Sequence, residues 1–311
     1  VSSLSVVMGV HNGAKYLSEA IDSILSQSFR DFEFIIIDDG STDATAEILG
    51  EFSRRDSRLQ CISLDKNLGL PHALNLGIQK ASGNIIARMD CDDVSGPERF
   101  ELQLAAMETS GADLLGTFAF SLSSNGATKV REPLPVTEDG IALRLPHSNC
   151  IVHPSVMVKK TVLEDVGGYN EEFLNSQDYD LWLRLLPQAR MNNLDVPLIG
   201  YRRHNGQISA RKSRGKQTHY SVCAALSHFR VGFDMDRISP KEDVAVVVNG
   251  FTEVFQADLT PRVRQCLNGH VIRYARKCVR DKDQRKALRD LLFTTATFRE
   301  KCKWQLYQLT G

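Results

Sequence analysis

Residues 83–93 run Gly-Asn-Ile-Ile-Ala-Arg-Met-Asp-Cys-Asp-Asp. An apolar stretch at 84–87 passes directly into Arg88-Met89-Asp90-Cys91-Asp92-Asp93. The stretch is short, apolar and free of alternation, as expected of a strand buried on both faces. Three carboxylates within four residues repel one another unless a cation gathers them. Mg²⁺ and Mn²⁺ favour carboxylate oxygens together with phosphate oxygens from a substrate. By itself the run also fits a solvated acidic turn that caps the next helix. Its position after a buried strand favours a site.

Four more short apolar runs lie nearby, at 5–10, 34–37, 59–64 and 113–117. Helix-like stretches separate them at 16–27, 43–54, 71–80 and 97–108. In the first of these, Leu17, Ala20, Ile21, Ile24 and Leu25 follow the spacing of one helix face. Ser41 is placed to cap the second, and Pro97 suits the first turn of the fourth. Strands alternating with helices of this length predict an α/β fold with a mostly parallel central sheet covered on both faces. Such sheets bind ligands beyond the carboxyl ends of their strands.

Polar groups gather at those ends. The first strand closes in Val10-His11-Asn12-Gly13 and the second in Asp38-Asp39-Gly40-Ser41. Asp38 or Asp39 could accept hydrogen bonds from a base or ribose, and an Asx turn explains the same residues. Neither G-x-G-x-x-G nor G-x-x-x-x-G-K-[ST] occurs, so a bound diphosphate would need a metal to neutralise it. Further on, 121–146 reads as an irregular excursion with a hairpin. A strand is expected at 155–159, a helix at 178–186 and a last strand at 196–203. Gln177-Asp178-Tyr179-Asp180 opens that helix, where backbone amides favour an ionised carboxylate. Asp178 or Asp180 could serve as a general base, or simply cap the helix. Tyr201-Arg202-Arg203-His204 puts cations and an imidazole at the end of the last strand. Residues 211–216 read as a basic linker, and 220–230 and 262–279 as helices.

Of 311 residues, 42% are hydrophobic and 24% charged, the balance of a soluble globular protein. No apolar run is long enough to cross a membrane, and no signal peptide pattern opens the sequence. Seven cysteines without a C-x-x-C pair argue against a disulfide framework or structural zinc and fit a reducing cytoplasm. Net charge is zero, but 261–311 holds 13 Lys+Arg against 4 Asp+Glu, and the first 260 residues hold 25 against 34. The basic segment suits either peripheral contact with the inner face of a membrane, an acidic partner, or plain solvent.

Taken together, the motifs resemble the family 2 glycosyltransferases, inverting enzymes of bacterial polysaccharide synthesis. The resemblance spans 4–209. Its blocks stand in the family's order: 5–12, 23–29, 37–43, 67–78, 83–93, 153–157, 177–184 and 201–204. It implies a GT-A fold, a Rossmann-like nucleotide-binding architecture, with a nucleotide-binding half at 1–118 and an acceptor-binding half at 119–210. Residues 211–311 then form a mainly helical, basic extension. It implies transfer of a hexosyl or N-acetylhexosaminyl group from a nucleoside diphosphate sugar, UDP-linked, to a glycan or lipid-linked acceptor. By resemblance Val10, His11 and Asn12 surround the base, Asp39 hydrogen-bonds it, and Asn67 lies in a loop over the nucleotide. Asp90, Cys91 and Asp92 match the D-x-D motif. Asp92 contacts a divalent metal, Mn²⁺ or Mg²⁺, with Asp93 and His204 beside it. Asp178 matches the catalytic base, and Arg203 assists at the diphosphate.

This sequence has His11 where the family often has Tyr, Gln177 where Glu is common, and Cys91 where Ala or Ser is common. With Gln at 177, Asp178 is left as the base of that pair. The resemblance implies no nucleic-acid partner and leaves a homo-oligomer open. Two rivals share the nucleotide fold. A sugar nucleotidyltransferase would carry a basic, glycine-rich loop after the first strand, and Gly9-Val-His-Asn-Gly13 lacks its basic residues. A non-catalytic sugar-nucleotide-binding subunit would not need Asp92 and Asp178.

Overall fold

β1 (Leu4–Val10) is buried at all seven positions, so it needs neighbours on both edges and cover on both faces. It pairs in parallel with β2 (Phe32–Asp38) on one edge and β4 (Ile85–Asp90) on the other. β3 (Leu59–Ser63) lies parallel beyond β2. The computed structural model describes residues 3–122, 128–130, 133–204, 207, 214–232 and 234–295. Helices α1 (Leu17–Leu25), α2 (Thr45–Arg55), α3 (Leu70–Lys80) and α4 (Arg99–Ser110) link these strands to the rest of the sheet. On α1 the expected apolar face is the buried one, with Leu17, Ala20, Ile21 and Ile24 out of solvent.

Past β4 the sheet becomes mixed. β5 (Val94–Ser95) and β8 (Met157–Lys159) run antiparallel to their neighbours, and β6 (Leu114–Leu122) pairs in parallel with β9 (Met191–Arg202). The order is β3-β2-β1-β4-β8-β6-β9-β5, with β7 (Thr128–Val130) on β6. β6 and β7 supply the hairpin expected in the excursion, pairing Phe120 with Val130. Residues 123–127 and 131–132 of the excursion lie outside the described residues. The same region also holds a short helix, α5 (Glu138–Arg144), and another, α6 (Lys160–Asp165), follows β8.

Local expectations failed where tertiary pairing overrode local sequence. β4 continues past Ala87 to Asp90, because β1 pairs with it as far as Gly9 opposite Asp90. β9 begins at Met191, well before 196, because β6 pairs along its whole length. Ser41 does not cap α2. That helix starts at Thr45 after Ala44, with no side-chain cap, while the Ser41 hydroxyl accepts the Asn12 amide at 2.9 Å.

The chain divides into two compact units. The first comprises Val1–Arg144, Cys150–Leu174 and Leu185–His204, and holds the sheet. The second comprises Leu145–Asn149, Asn175–Arg184 and Asn205–Gly311. The last change of unit falls after His204, and two earlier segments belong with the C-terminal helices. The second unit contains all of α7 (Gln177–Leu185) except its last residue, with α8 (Arg214–Val231), α9 (Val244–Phe255), α10 (Pro261–Lys277) and α11 (Lys282–Thr295). Residues 214–216, expected in a linker, open α8, and 211–213 lie outside the described residues. α10 starts cleanly, since Thr260 accepts the Val263 amide at 3.3 Å and Pro261 takes the first turn. Trp182, Phe251 and Tyr274 are the largest side chains fully buried in this unit. Among the described residues, no helix is long and apolar enough to cross a membrane.

Candidate active site

Register brings the polar strand ends together. Val10 stands opposite Asp38 and Gly9 opposite Asp90, so the ends of β1, β2 and β4 share one rim. The lip above β1 is stitched to the turn before α2. Thr42 donates its amide to Asn12 Oδ1 at 2.8 Å, and Gly13 donates to Thr45 Oγ1 at 3.0 Å. Asn12 itself has a left-handed backbone, φ 53°. His11 Nδ1 lies 2.8 Å from the Asp39 carbonyl, which can only accept, so Nδ1 carries the proton. Nε2 then accepts from Asn12 Nδ2 at 3.1 Å. The ring is exposed and held at both nitrogens.

Asp39 is 3% exposed, and its oxygens accept the Leu68 and Gly69 amides at 2.7 and 2.8 Å. It therefore holds the loop that carries Asn67, which is exposed. A carboxylate has about four acceptor positions, so these two bonds do not exhaust it. Gly40 makes the crossing feasible. At φ +68°, a Cβ there would sit 2.5 Å from Lys66 C and 2.7 Å from Asn67 N.

Ligand atoms of Asp90, Asp92 and Asp93 lie within 4.8 Å of one another. Asp90 pairs with Arg88. Asp92 Oδ2 is 2.8 Å from His204 Nε2. Asp93 accepts the Arg202 amide on Oδ1 at 2.8 Å, while its buried Oδ2 has no partner among the described residues. Burial, Asp90 and Asp92 together hold the Asp93 carboxyl well above the usual range. Burial raises Asp90 as well, against the pull of Arg88. Carboxylates crowded until their protonation becomes easier, with one buried oxygen unpaired, fit a hard divalent cation by donor chemistry. Cys91 sits between them as a small, partly buried thiol, pushed up by burial and the flanking Asp92 and Asp90, so it is protonated at neutral pH.

Of the two arginines in the 201–204 block, Arg203 is exposed, while Arg202 engages the acidic loop. It donates Nε to the Asp92 carbonyl at 2.9 Å and Nη2 to Glu19 at 2.6 Å, and it lies over the Tyr16 ring. Behind the loop, Arg99 is fully buried. It donates to the Arg88 carbonyl at 2.9 Å, the Val156 carbonyl at 3.3 Å and Gln103 Oε1 at 2.9 Å. Burial and nearby Arg88 push it down to about 9, which leaves it charged at neutral pH. One signal was legible: Arg88 interrupts an otherwise apolar strand.

In the second unit, α7 separates its two aspartates. Asp180 is fully buried, with Oδ2 on Arg184 Nε at 2.8 Å and Oδ1 on Arg237 Nη2 at 2.5 Å. It is committed to structure. Asp178 is half-buried and accepts from Asn149 Nδ2 at 2.7 Å. Val10, His11, Asn12, Asp39, Asn67, Asp90, Cys91, Asp92, Asp93, Arg203 and His204 belong to the first unit, and Asp178 to the second.

An open α/β sheet with carboxylates clustered at its carboxyl rim defines a class of nucleotide-dependent enzymes. Residues 5–167 match the family model described as Glycosyl transferase family 2, and the chain belongs to that family. It is a glycosyltransferase. The O-antigen biosynthesis glycosyltransferase WbnJ of Escherichia coli is 38% identical over 228 residues, 72% of this chain and 87% of that protein. An E. coli UDP-Gal:alpha-D-GlcNAc-diphosphoundecaprenol beta-1,3-galactosyltransferase is 28% identical over 283 residues, 86% of this chain and 96% of the relative. The crystal structure of S. aureus TarS 1-349 in complex with UDP-GlcNAc superposes with a TM-score of 0.66 at 18% identity, covering 99% of this chain and 92% of the other. At that identity the likeness shows the fold, which is GT-A.

Proposed function

We propose that the chain is an inverting, divalent-metal-dependent transferase of polysaccharide synthesis. It moves a sugar from a UDP-sugar to a hydroxyl of a glycan or lipid-linked acceptor. The observation that carries this reading is the convergence of Asp90, Asp92 and Asp93 at the end of β4. The named activities of the two E. coli relatives support the substrate classes.

In this reading His11 offers a flat, tautomer-fixed ring to the uracil, and Asp39 accepts from the base while it holds the Asn67 loop. Val10 and Asn12 line the same lip. Asp90, neutralised by Arg88, is suited to the ribose hydroxyls. Asp92 and Asp93, with His204, would hold Mn²⁺ or Mg²⁺, which when bound neutralises the departing diphosphate. Arg203 lends charge from the edge. Asp178 removes the proton from the acceptor hydroxyl. The oxygen forms the new bond to the anomeric carbon as the bond to the diphosphate breaks, so UDP leaves and the configuration inverts. Residues 1–118 serve the nucleotide and 119–210 the acceptor. Exposed Arg276, Lys277, Arg280, Lys282 and Lys286 suit peripheral contact with an anionic membrane face.

The test is UDP release from UDP-Gal, UDP-Glc and UDP-GlcNAc in the presence of Mn²⁺. Asp178→Asn is expected to cut turnover roughly 10²–10⁴-fold while UDP binding, read by calorimetry, stays intact. An Asn variant with full turnover would sink the base assignment. Release of pyrophosphate from a nucleoside triphosphate and sugar phosphate would instead favour a nucleotidyltransferase.

A further inference from the structure

Four side chains converge on one short segment of the second unit. Tyr179 donates its hydroxyl to the Leu145 carbonyl at 2.8 Å. From α10, Cys266 donates to the Pro146 carbonyl at 3.2 Å, and His270 Nε2 reaches the same oxygen at 2.8 Å. Arg273 donates to the His147 carbonyl at 3.1 Å. Residues 145–149 lie in a turn, a bend and irregular chain rather than a helix or strand, so the carbonyls of Leu145, Pro146 and His147 have no ladder to satisfy them. Side chains from two helices do so instead.

This strap ends at Asn149, whose amide donates to Asp178 Oδ2. His270 explains why the anchor is rigid. A carbonyl only accepts, so Nε2 carries the proton. Nδ1 is then a buried acceptor with no partner among the described residues. Burial and Arg273 push His270 down to about 3, so the anchor does not titrate near neutral pH. An unpaired buried nitrogen is a cost that an apolar side chain would avoid. The Pro146 contact offsets part of that cost.

We infer that Asn149 is a positioning residue for Asp178, and that α10, through the strap 145–149, holds Asn149 in place. This rests on Asp178 being the base. A carboxylate on a single Cα–Cβ stem rotates freely about its last bond. An amide donor on one oxygen fixes the plane of the group and so aims the other oxygen, as a base needs before it can take a proton. The C-terminal helices thereby contribute to acceptor activation without supplying a reacting group. Asn149 is exposed, so replacing it disturbs no core packing.

The experiment compares Asn149→Asp, Asn149→Ala and Asp178→Asn in the full chain. Asn149→Asp keeps the shape but turns the donor into a second acceptor. Both Asn149 variants are expected to lose kcat by roughly tenfold or more, with the KM for the UDP-sugar, the UDP affinity and the melting temperature held near wild type. His270→Phe, which keeps an aromatic ring but drops the Pro146 contact, is expected to show a smaller loss of the same kind. Unchanged kcat in Asn149→Asp overturns the inference. So does a loss of kcat matched by equal losses in UDP affinity and melting temperature, because that marks a general structural role. If Asp178→Asn is inactive while Asn149→Asp is fully active, the positioning role alone fails. If Asp178→Asn turns over normally, the base reading fails.

Discussion

At the end of β4, three carboxylates lie together and the guanidinium of Arg88 pairs with one of them, Asp90; at the start of α7, the single carboxylate of Asp180 is gripped by Arg184 and Arg237. Both clusters are acidic motifs in the sequence, and both are largely buried. Their charge balance is opposite. Around Asp180 cations outnumber anions, and every carboxylate oxygen has a donor, so nothing further is called for. Around Asp92, among the described residues, the three carboxylates receive one guanidinium directly, that of Arg88, since Arg202 meets Asp92 at its carbonyl and Asp93 only through a backbone amide; one Asp93 oxygen has no partner among the described residues, and burial raises the neighbouring carboxyls. Burial of acid does not distinguish a site from a structural pair. An unmet demand for positive charge does.

The comparison breaks if the two clusters respond alike to losing a carboxylate. The largest expected effect is at Asp92. Asp92→Asn should weaken Mn²⁺ binding, read by calorimetry, and lower kcat/KM roughly 10²–10³-fold, with the fold intact or steadier because repulsion falls. Asp180→Asn should do the reverse. It leaves two arginines facing a neutral amide and should lower unfolding free energy by about 3 kcal/mol, read by denaturant titration, with Mn²⁺ affinity unchanged. Because Arg237 is 37% exposed at its side chain, water takes up part of that loss. An Asp180 variant that lost metal, or an Asp92 variant that unfolded, would show that charge balance had been misread.

How much of this was legible in the sequence follows the same division. The first unit reads locally. Its sheet follows from apolar runs, and its site lies at strand ends that parallel register aligns, so Asp39, Asp90 and Asp92 were visible as candidates from their neighbours in the chain. Arg202 was overshadowed by Arg203, because only the pairing of β9 with β5 and β6 tells which of the two turns back onto the acidic loop. Arg99 opens α4, and nothing in the neighbouring sequence singles it out. Its burial is a tertiary fact: it fills the fork where β4 stops pairing with β8 and supplies donors to two carbonyls. In the second unit the helices α7, α8 and α10 read locally, but their side-chain contacts did not. Asn149, Asp178 and His270 lie in three separate stretches of chain, and no spacing rule joins them. Local spacing leaves Asp178 and Asp180 on a par and the family resemblance picks Asp178; that Asp180 is occupied by Arg237, far away in sequence, is visible only in the fold.

A third carboxylate sharpens the comparison, with the smallest effect. Glu33 has neither the arginines of Asp180 nor the crowding of Asp93. Burial would raise its carboxyl, but the Ser5 hydroxyl and the Ser82 amide and hydroxyl outweigh this, and the group lies below its ordinary 4.5. Neutral donors alone therefore reverse the sign found at the end of β4. A carboxyl lowered on folding stabilises the native state once it is ionised in both states, above the unfolded value, and that contribution fades as pH falls through the folded value. Asp90 and Asp93, which are raised, work the other way: without a cation their ionisation opposes folding, and acid relieves it. Glu33→Gln should thus lower the melting temperature slightly at pH 7, and the gap from wild type should close as pH drops from about 4.5 toward 3. Added Mn²⁺ should raise both proteins equally at pH 7, since the metal acts at the other acidic cluster. A gap that widened in acid would mean that Glu33 is held by repulsion after all, and that neutral hydroxyl and amide donors do not suffice to reverse the sign.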